Sequence, residues 1–285
     1  MLTRRDFGKI ALAAVPVARG IAKPKSKIDG VMIGAQTYSF RDRPVDAAIE
    51  AMADIGLSYA ELWSGHIEPK VERGEAGRDQ LRQWRRTVSM GHFREIRGKF
   101  KKAHIELFAF NYSFRDDFTD EEIARGFEIA AALGVKRITA SSNVSTAKRV
   151  DSYAQKAGMQ VAVHNHSRIV PNEFARPEDF ELATKGMSNI VINLDIGHFW
   201  GAGFDPVDYL SKHHRQVMCL HIKDKKKAND QNMPFGEGDT PIREVMQAIK
   251  KNKWKIPAMI EYEYKGKETV AEVRRSYEYL KKCLV

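Results

Sequence analysis

Short apolar runs recur along the chain at intervals of roughly 30 residues, each bounded by turn residues or charges. They are Val31–Thr37, Tyr59–Trp63, Ile105–Asn111, Arg137–Ser141, Gln160–His164, Ile190–Asp195, Val217–His221 and Ala258–Glu261. Short, nearly continuous apolar runs read as strands buried on both faces, as in parallel sheets. Between them apolar residues recur at helical spacing. Val45–Ile55 stops at Gly56, Asp120–Leu133 at Gly134 and Thr146–Ala157 at Gly158, where glycine is the expected C-cap. Thr119 and Glu122 have the spacing of a capping box. Pro177, Pro206 and Pro241 fall near the first turns of later helices, where a missing N–H costs little. A final helix is expected over Glu268–Leu284.

Eight strand–helix units in this order predict an α/β fold, a (β/α)8 TIM barrel over residues 30–285. The rival is a doubly wound open sheet. It would place a Gly-rich phosphate loop after the first strand and gather its site at one switch point; the chain has no such loop. Two connections are long: Ser64–Gly77, with His66, Glu68 and Lys70, and Lys225–Thr240, with Phe235-Gly236-Glu237-Gly238-Asp239. Loops that follow barrel strands face the active site, so both are expected to cover a substrate.

The last four apolar runs end alike. His164-Asn165-His166, Asp195-Ile196-Gly197-His198, His221-Ile222-Lys223-Asp224 and Glu261-Tyr262-Glu263 follow them in turn. Two imidazoles and two carboxylates delivered by consecutive strands to one barrel mouth suit a divalent metal, with His164, Asp195, His221 and Glu261 as ligands. Any one of these histidines alone is as well read as a helix cap or as the partner of a buried carbonyl; the set points to metal. His166 shares the face of His164, because side chains repeat every two residues along a strand. Lys223 returns to the inner face, where it could neutralise a developing oxyanion. Glu61 lies inside an apolar strand and is expected to turn inward, as a base or as the partner of a Lys or His. The candidate catalytic residues are therefore Glu61, His166, Glu261 and Lys223. His198, Trp63, Gln36, Asn111 and Asp224 are the candidate substrate contacts. Tyr38 and Ser142 are weaker lining candidates, and Phe199 and Trp200 could add apolar wall. Glu263 is expected behind the ligands or at a helix cap.

Composition changes little. The chain has 285 residues, 43% hydrophobic and 29% charged, which suits one soluble domain with a sizeable core. The N-terminus changes more. Thr3-Arg4-Arg5-Asp6-Phe7 precedes a mildly apolar stretch, Ile10–Ile21, broken by Pro16, Arg19 and Gly20. This pattern resembles a twin-arginine export signal, with residues 1–23 removed near Ala22 and the protein delivered to the periplasm or outside the cell. The stretch is too short to span a bilayer as a mature helix. Of the formal net charge of +10, residues 1–23 carry +4, which leaves a scattered +6. Such a mild excess is a solvated surface and no argument for nucleic acid. The two cysteines, Cys219 and Cys283, suggest neither a disulfide framework nor a zinc knuckle.

These motifs together resemble the sugar phosphate isomerase/epimerase superfamily of xylose isomerase-like barrels. The resemblance spans residues 30–284. It rests on Ala60-Glu61-Leu62-Trp63, His164-Asn165-His166, Leu194-Asp195-Ile196-Gly197-His198, Leu220-His221-Ile222-Lys223-Asp224, Gly236-Glu237-Gly238 and Ile260-Glu261-Tyr262. It implies one divalent metal, manganese first, with zinc, cobalt, magnesium or iron also compatible. It also implies a small carbohydrate substrate and proton abstraction beside a carbonyl that the metal polarises. It makes Asp195, His221 and Glu261 ligands. His164 stands where ketose 3-epimerases carry a glutamate that is both ligand and base, which leaves room for isomerisation, dehydration or β-elimination. Export favours an unphosphorylated saccharide, and a 3-keto-glycoside lyase or hydratase is the alternative. An endonuclease IV-type nuclease would need a later Asp-x-His pair, and Asp230 is followed by Gln231 and Asn232. A non-catalytic sugar-binding protein would show broken ligation. No nucleic acid partner and no stable membrane insertion are expected; homo-oligomerisation is left open.

Overall fold

The eight apolar runs form eight parallel strands, and the last pairs with the first. In the computed structural model, which describes residues 23–266 and 268–285, they are β1 (Val31–Gln36), β2 (Tyr59–Trp63), β3 (Glu106–Asn111), β4 (Arg137–Ala140), β5 (Gln160–His164), β6 (Ile190–Asp195), β7 (Val217–Ile222) and β8 (Ala258–Ile260). Each pairs with its sequence neighbour, and β8 pairs with β1 through Ala258↔Ile33 and Ile260↔Ala35. The barrel is thus closed, and a closed sheet leaves no edge to protect. The export segment expected over residues 1–23 lies, apart from Lys23, outside the described residues.

Helices occupy the intervals: α1 (Val45–Ile55), α2 (Glu75–Thr87), α3 (Met90–Lys102), α4 (Asp120–Leu133), α5 (Ala147–Ala157), α6 (Pro177–Thr184), α7 (Ile196–Gly201), α8 (Pro206–His213), α9 (Ile242–Asn252) and α10 (Thr269–Leu284). The sequence signals act where they were expected. Gly56, Gly134 and Gly158 take left-handed φ values at the ends of α1, α4 and α5. Thr119 Oγ1 accepts from Glu122 N and Glu122 Oε2 accepts from Thr119 N, which closes the capping box of α4. Such a cap contributes about 1 kcal/mol. Glu268 caps α10 rather than opening it, accepting from Val270 N and Ala271 N.

One interval departs from a single strand–helix unit. Between β2 and β3 stand two helices, α2 and α3, and α2 begins inside the segment expected to be a covering loop. That segment is also tied down. Arg85 of α2 forms a two-pronged ion pair with Glu68, at 2.7 and 3.0 Å, and lies over the Tyr112 ring.

The barrel interior is plugged at its N-terminal end by Phe108, Ala109, Cys219 and Met259. Gly34 makes this possible: a Cβ there would lie 2.5 Å from Met259 Sδ and from Tyr59 O. Both cysteines are buried and free. With the bottom filled by apolar atoms, polar side chains collect at the C-terminal mouth, where barrel chemistry is done. Among the described residues no helix is long and apolar enough to cross a membrane.

Candidate active site

Register decides which side chains meet. Asp195 pairs with His221 across β6 and β7, and His164 with Asn193 across β5 and β6. Glu261 follows β8 directly, and its amide still bonds to Ile222 O. The four strand ends therefore converge. One donor atom from each of His164, Asp195, His221 and Glu261 lies within 4.8 Å of all the others, and all four residues are buried.

Two of these donors have no hydrogen bond: His164 Nε2 and Asp195 Oδ2. They stand 3.5 Å apart. A buried polar atom without a partner costs free energy comparable to a lost hydrogen bond, so such a pair is suited to share one bound ion. Two donors on one ion, each about 2.1 Å from it, stand about 3.0–3.4 Å apart. The cluster therefore fits a divalent metal on geometry and on donor chemistry. Each ligand is also held from behind. His164 Nδ1 faces Ser141 Oγ at 3.3 Å, which leaves Nε2 for the centre. Asp195 caps α7, its Oδ1 accepting from His198 N at 2.7 Å, which leaves Oδ2 for the centre. The Asn165 amide grips the Asp195 backbone twice, donating to Asp195 O and accepting from Asp195 N.

His221 lies between two carboxylates, with Nε2 2.8 Å from Glu61 Oε2 and Nδ1 2.9 Å from Glu261 Oε2. Burial alone would depress its pKa, but Glu61 and Glu261 outweigh burial and raise it well above the ordinary imidazole value. Lys223 enters the same cluster. Its Nζ lies 3.1 Å from Asp195 Oδ2, 3.1 Å from Glu261 Oε2 and 2.5 Å from Glu263 Oε2. The contact with Asp195 Oδ2 is an ion pair by distance without hydrogen-bond alignment, so that oxygen stays unsatisfied. Burial would lower the Lys223 pKa, but Asp195, Glu261 and Glu263 raise it above its ordinary value. Burial would raise the Asp195 and Glu261 carboxyls, but Lys223 together with the neighbouring histidines, His198 and His164 at Asp195 and His221 and His164 at Glu261, holds both well below the usual range.

A cavity of about 300 Å³ opens above the cluster. Its lining includes His164, His221, Glu261, Lys223, His166, His198, Trp63, Gln36 and Asn111, all expected from sequence, with Tyr38, Ser113, Arg115, Ser141 and Glu263. Among the described residues His166 has no side-chain hydrogen-bond partner, and burial, then His164 and Lys223, push its pKa down to about 4. It is a neutral imidazole facing the cavity. Trp63 separates this cavity from a second one of about 660 Å³, lined by Arg41, Ser64, His66 and Lys70 among others.

Three expected residues are not in the cavity wall: Asp195, which sits in the ligand cluster, Glu61 and Asp224. Glu61 is fully buried inside the barrel, between His221 and Thr139, whose Oγ1 donates to it at 2.6 Å. It is a partner for histidine, the second of the two roles open to it, and is not placed to act as a base on substrate. Asp224, expected to touch substrate, turns away into the loop after β7. Its carboxylate accepts from Gly236 N, Gly238 N and Thr240 N, so it folds that loop instead. Ser142 donates no contact to the cavity lining either; its Oγ accepts from Phe114 N. Phe199 is core, while Trp200 lies under the Lys227 ammonium. Sequence reasoning missed Arg115, Ser113 and Ser141. The signal was their place just beyond the ends of β3 and β4.

The chain belongs to the xylose isomerase-like TIM barrel family, whose sequence pattern matches residues 49–283. No curated relative matches the sequence. Among solved structures, an uncharacterised protein from Parabacteroides distasonis is 26% identical and superposes with a TM-score of 0.64, covering 89% of this chain and 99% of its own. A 3-keto-D-glucoside 4-epimerase from E. coli gives a TM-score of 0.68 at 12% identity, covering 89% of this chain and 100% of its own. A zinc-bound IolI protein gives 0.67 at 16%, covering 89% and 98%. At such identities the last two speak for the fold.

Proposed function

We propose that the chain is a divalent-metal-dependent sugar isomerase or epimerase that moves a proton beside the carbonyl of a saccharide. The observation that carries this reading is the meeting of four buried donors from consecutive strands, two of them unsatisfied, beneath a cavity lined by a neutral imidazole. His164, Asp195, His221 and Glu261 would hold the ion, with manganese or zinc the first candidates. A divalent ion in this place supplies Lewis-acid polarisation of substrate oxygens. The rest is done by the chain. His166 is unprotonated, unpartnered and open to the cavity, so it is the base best placed to take a proton. Lys223, kept charged by three carboxylates, stands ready to balance negative charge developing on a substrate oxygen. Trp63 offers an indole as a wall for a sugar ring.

The alternative is elimination or hydration of a keto-glycoside. The cavity across Trp63 favours it, because there is room for an aglycone beside the ring that reaches the metal ligands. The paired arginines Arg4-Arg5 support export and hence an unphosphorylated substrate.

The test is incubation of metal-loaded protein with sugars, 3-keto-sugars and glycosides in heavy water. Deuterium at one carbon without rearrangement indicates epimerisation, and a shifted carbonyl indicates isomerisation. A released aglycone indicates elimination. No exchange and no product with any carbonyl sugar would overturn the proton-transfer reading.

A further inference from the structure

His198 lines the cavity, and each of its ring nitrogens faces a different lysine. Nε2 lies 2.9 Å from Lys223 Nζ, and Nδ1 lies 3.3 Å from Lys225 Nζ and 3.3 Å from Ser167 Oγ. A neutral imidazole has one donor and one acceptor nitrogen, so the neighbours select the tautomer. The shortest contact is with the Lys223 ammonium, which can only donate; Nε2 must therefore accept. The proton falls to Nδ1, where Ser167 Oγ can accept it; the Lys225 ammonium, 3.3 Å from the same nitrogen, is drawn off by Asp230 Oδ1 at 2.6 Å. The Ser167 hydroxyl donates to Asp230 Oδ2 at 2.6 Å, so its lone pairs face His198 and Lys225.

Asp230 holds this arrangement from the loop after β7. Its Oδ1 takes the Lys225 ammonium at 2.6 Å, while its own backbone adopts a left-handed φ of 56°. Lys225 is buried although Asp230 is largely exposed, so the loop brings a surface carboxylate down onto an interior ammonium. Gly201, at the end of α7, leaves the space: a Cβ there would lie 2.2 Å from Asp230 Oδ1. Helix, loop and the turn after β5 thus meet behind one imidazole.

We propose that Ser167, Lys225 and Asp230 are positioning residues that fix His198 as the Nδ1–H tautomer, so that Nε2 accepts from Lys223 Nζ and holds that ammonium at the cavity. This rests on the reading of the cavity as a sugar site. The three residues do not touch substrate; they act through His198, as partners behind a working imidazole commonly do. The loop that carries Asp230 thereby acts on Lys223 through His198.

The test is long-range proton–nitrogen correlation spectroscopy of the full-length, nitrogen-labelled protein, metal-free and zinc-loaded, with His198 assigned by its loss in His198→Gln. The expected result is a single tautomer with the proton on Nδ1 in the wild type. Ser167→Ala should replace it by a mixture, and Ser167→Thr should restore it. Gly201→Ala, which displaces Asp230 without removing a hydrogen-bonding group, should loosen it as well should Ser167→Ala fail to fold. On any sugar the wild type turns over, Ser167→Ala should lower kcat by ~10–100-fold with KM little changed. A wild-type His198 protonated on Nε2, or one whose tautomer is the same in Ser167→Ala and Gly201→Ala, would overturn the proposal. The spectroscopic readout needs no turnover, so its failure is distinguishable from failure of the sugar-isomerase reading, which would show as absent metal and absent exchange.

Discussion

His221 Nε2 lies 2.8 Å from Oε2 of Glu61, a residue 160 positions earlier, at the centre of the barrel. Neither residue is more than 1% exposed. The carboxylate fixes the ring so that Nδ1, 2.9 Å from Glu261, points to the cluster. A histidine ligand backed by a carboxylate is a recurrent metal-site arrangement, and loss of the partner costs ~10–100-fold in metal affinity. Glu61→Gln should weaken divalent-metal binding by that factor, measured by competition with a chelating dye. The Asp195 and His164 side chains should stay in place. Unchanged affinity would show that Glu61 is only a core carboxylate.

Metal binding should release protons. Without metal, burial disfavours the charged His221 ring, but Glu61 and Glu261 outweigh burial and raise its pKa well above the ordinary value. It is therefore protonated at neutral pH, and a ligand must be neutral. Raising the pH removes this competing proton, so affinity should rise with pH through the neutral range. Calorimetric titrations in buffers of different ionisation enthalpy should show about one proton released per ion. A pH-independent affinity with no proton release would contradict the assignment of His221 as a ligand.

Lys223 should be a competitor for the ion as well as a site residue. Its ammonium already lies 3.1 Å from both Asp195 and Glu261. Lys223→Met leaves buried carboxylates without a counter-charge, so the metal-free protein should lose on the order of 3–5 kcal/mol. Adding metal should restore more stability in the variant than in the wild type, because a like charge beside the ion has gone. Equal metal-induced shifts in Tm would contradict this.

The loop after β7 should depend on one glycine. A Cβ at Gly238 would lie 1.9 Å from Asp224 Oδ1 and 2.9 Å from Lys225 N. Gly238→Ala should dislodge the Asp224 carboxylate from the three amides it serves and cost about 2–4 kcal/mol in urea unfolding. Cleavage by trypsin near Lys226 and Lys227 should become faster.

Much of this was legible in the sequence, for physical reasons. Buried parallel strands are short apolar runs, and a barrel repeats them, so the fold followed from period alone. His164, Asp195, His221 and Glu261 stood out because polar ligands at four successive strand ends have no packing role. What pairs across the barrel was less legible. Glu61 could be read as inward-facing, but its contact with His221 depends on the closure of β1 on β8 and on a register shift in β2, beside Glu61. Asp224 looked like a site residue because it adjoins Lys223; only the folded loop shows the glycine amides that turn it away. Asn165, Ser167, Lys225 and Asp230 support ligands or cavity imidazoles from behind, and nothing in their local sequence marks such a role.

The central claim, that four strand ends make one metal site, is tested most directly by elemental analysis after loading with manganese or zinc and removal of excess. The wild type should retain about one ion per chain, and Asp195→Ala and Glu261→Ala should retain almost none while keeping the circular dichroism of the folded barrel. Full metal content in both variants, or no bound ion in the wild type with either metal, would contradict it.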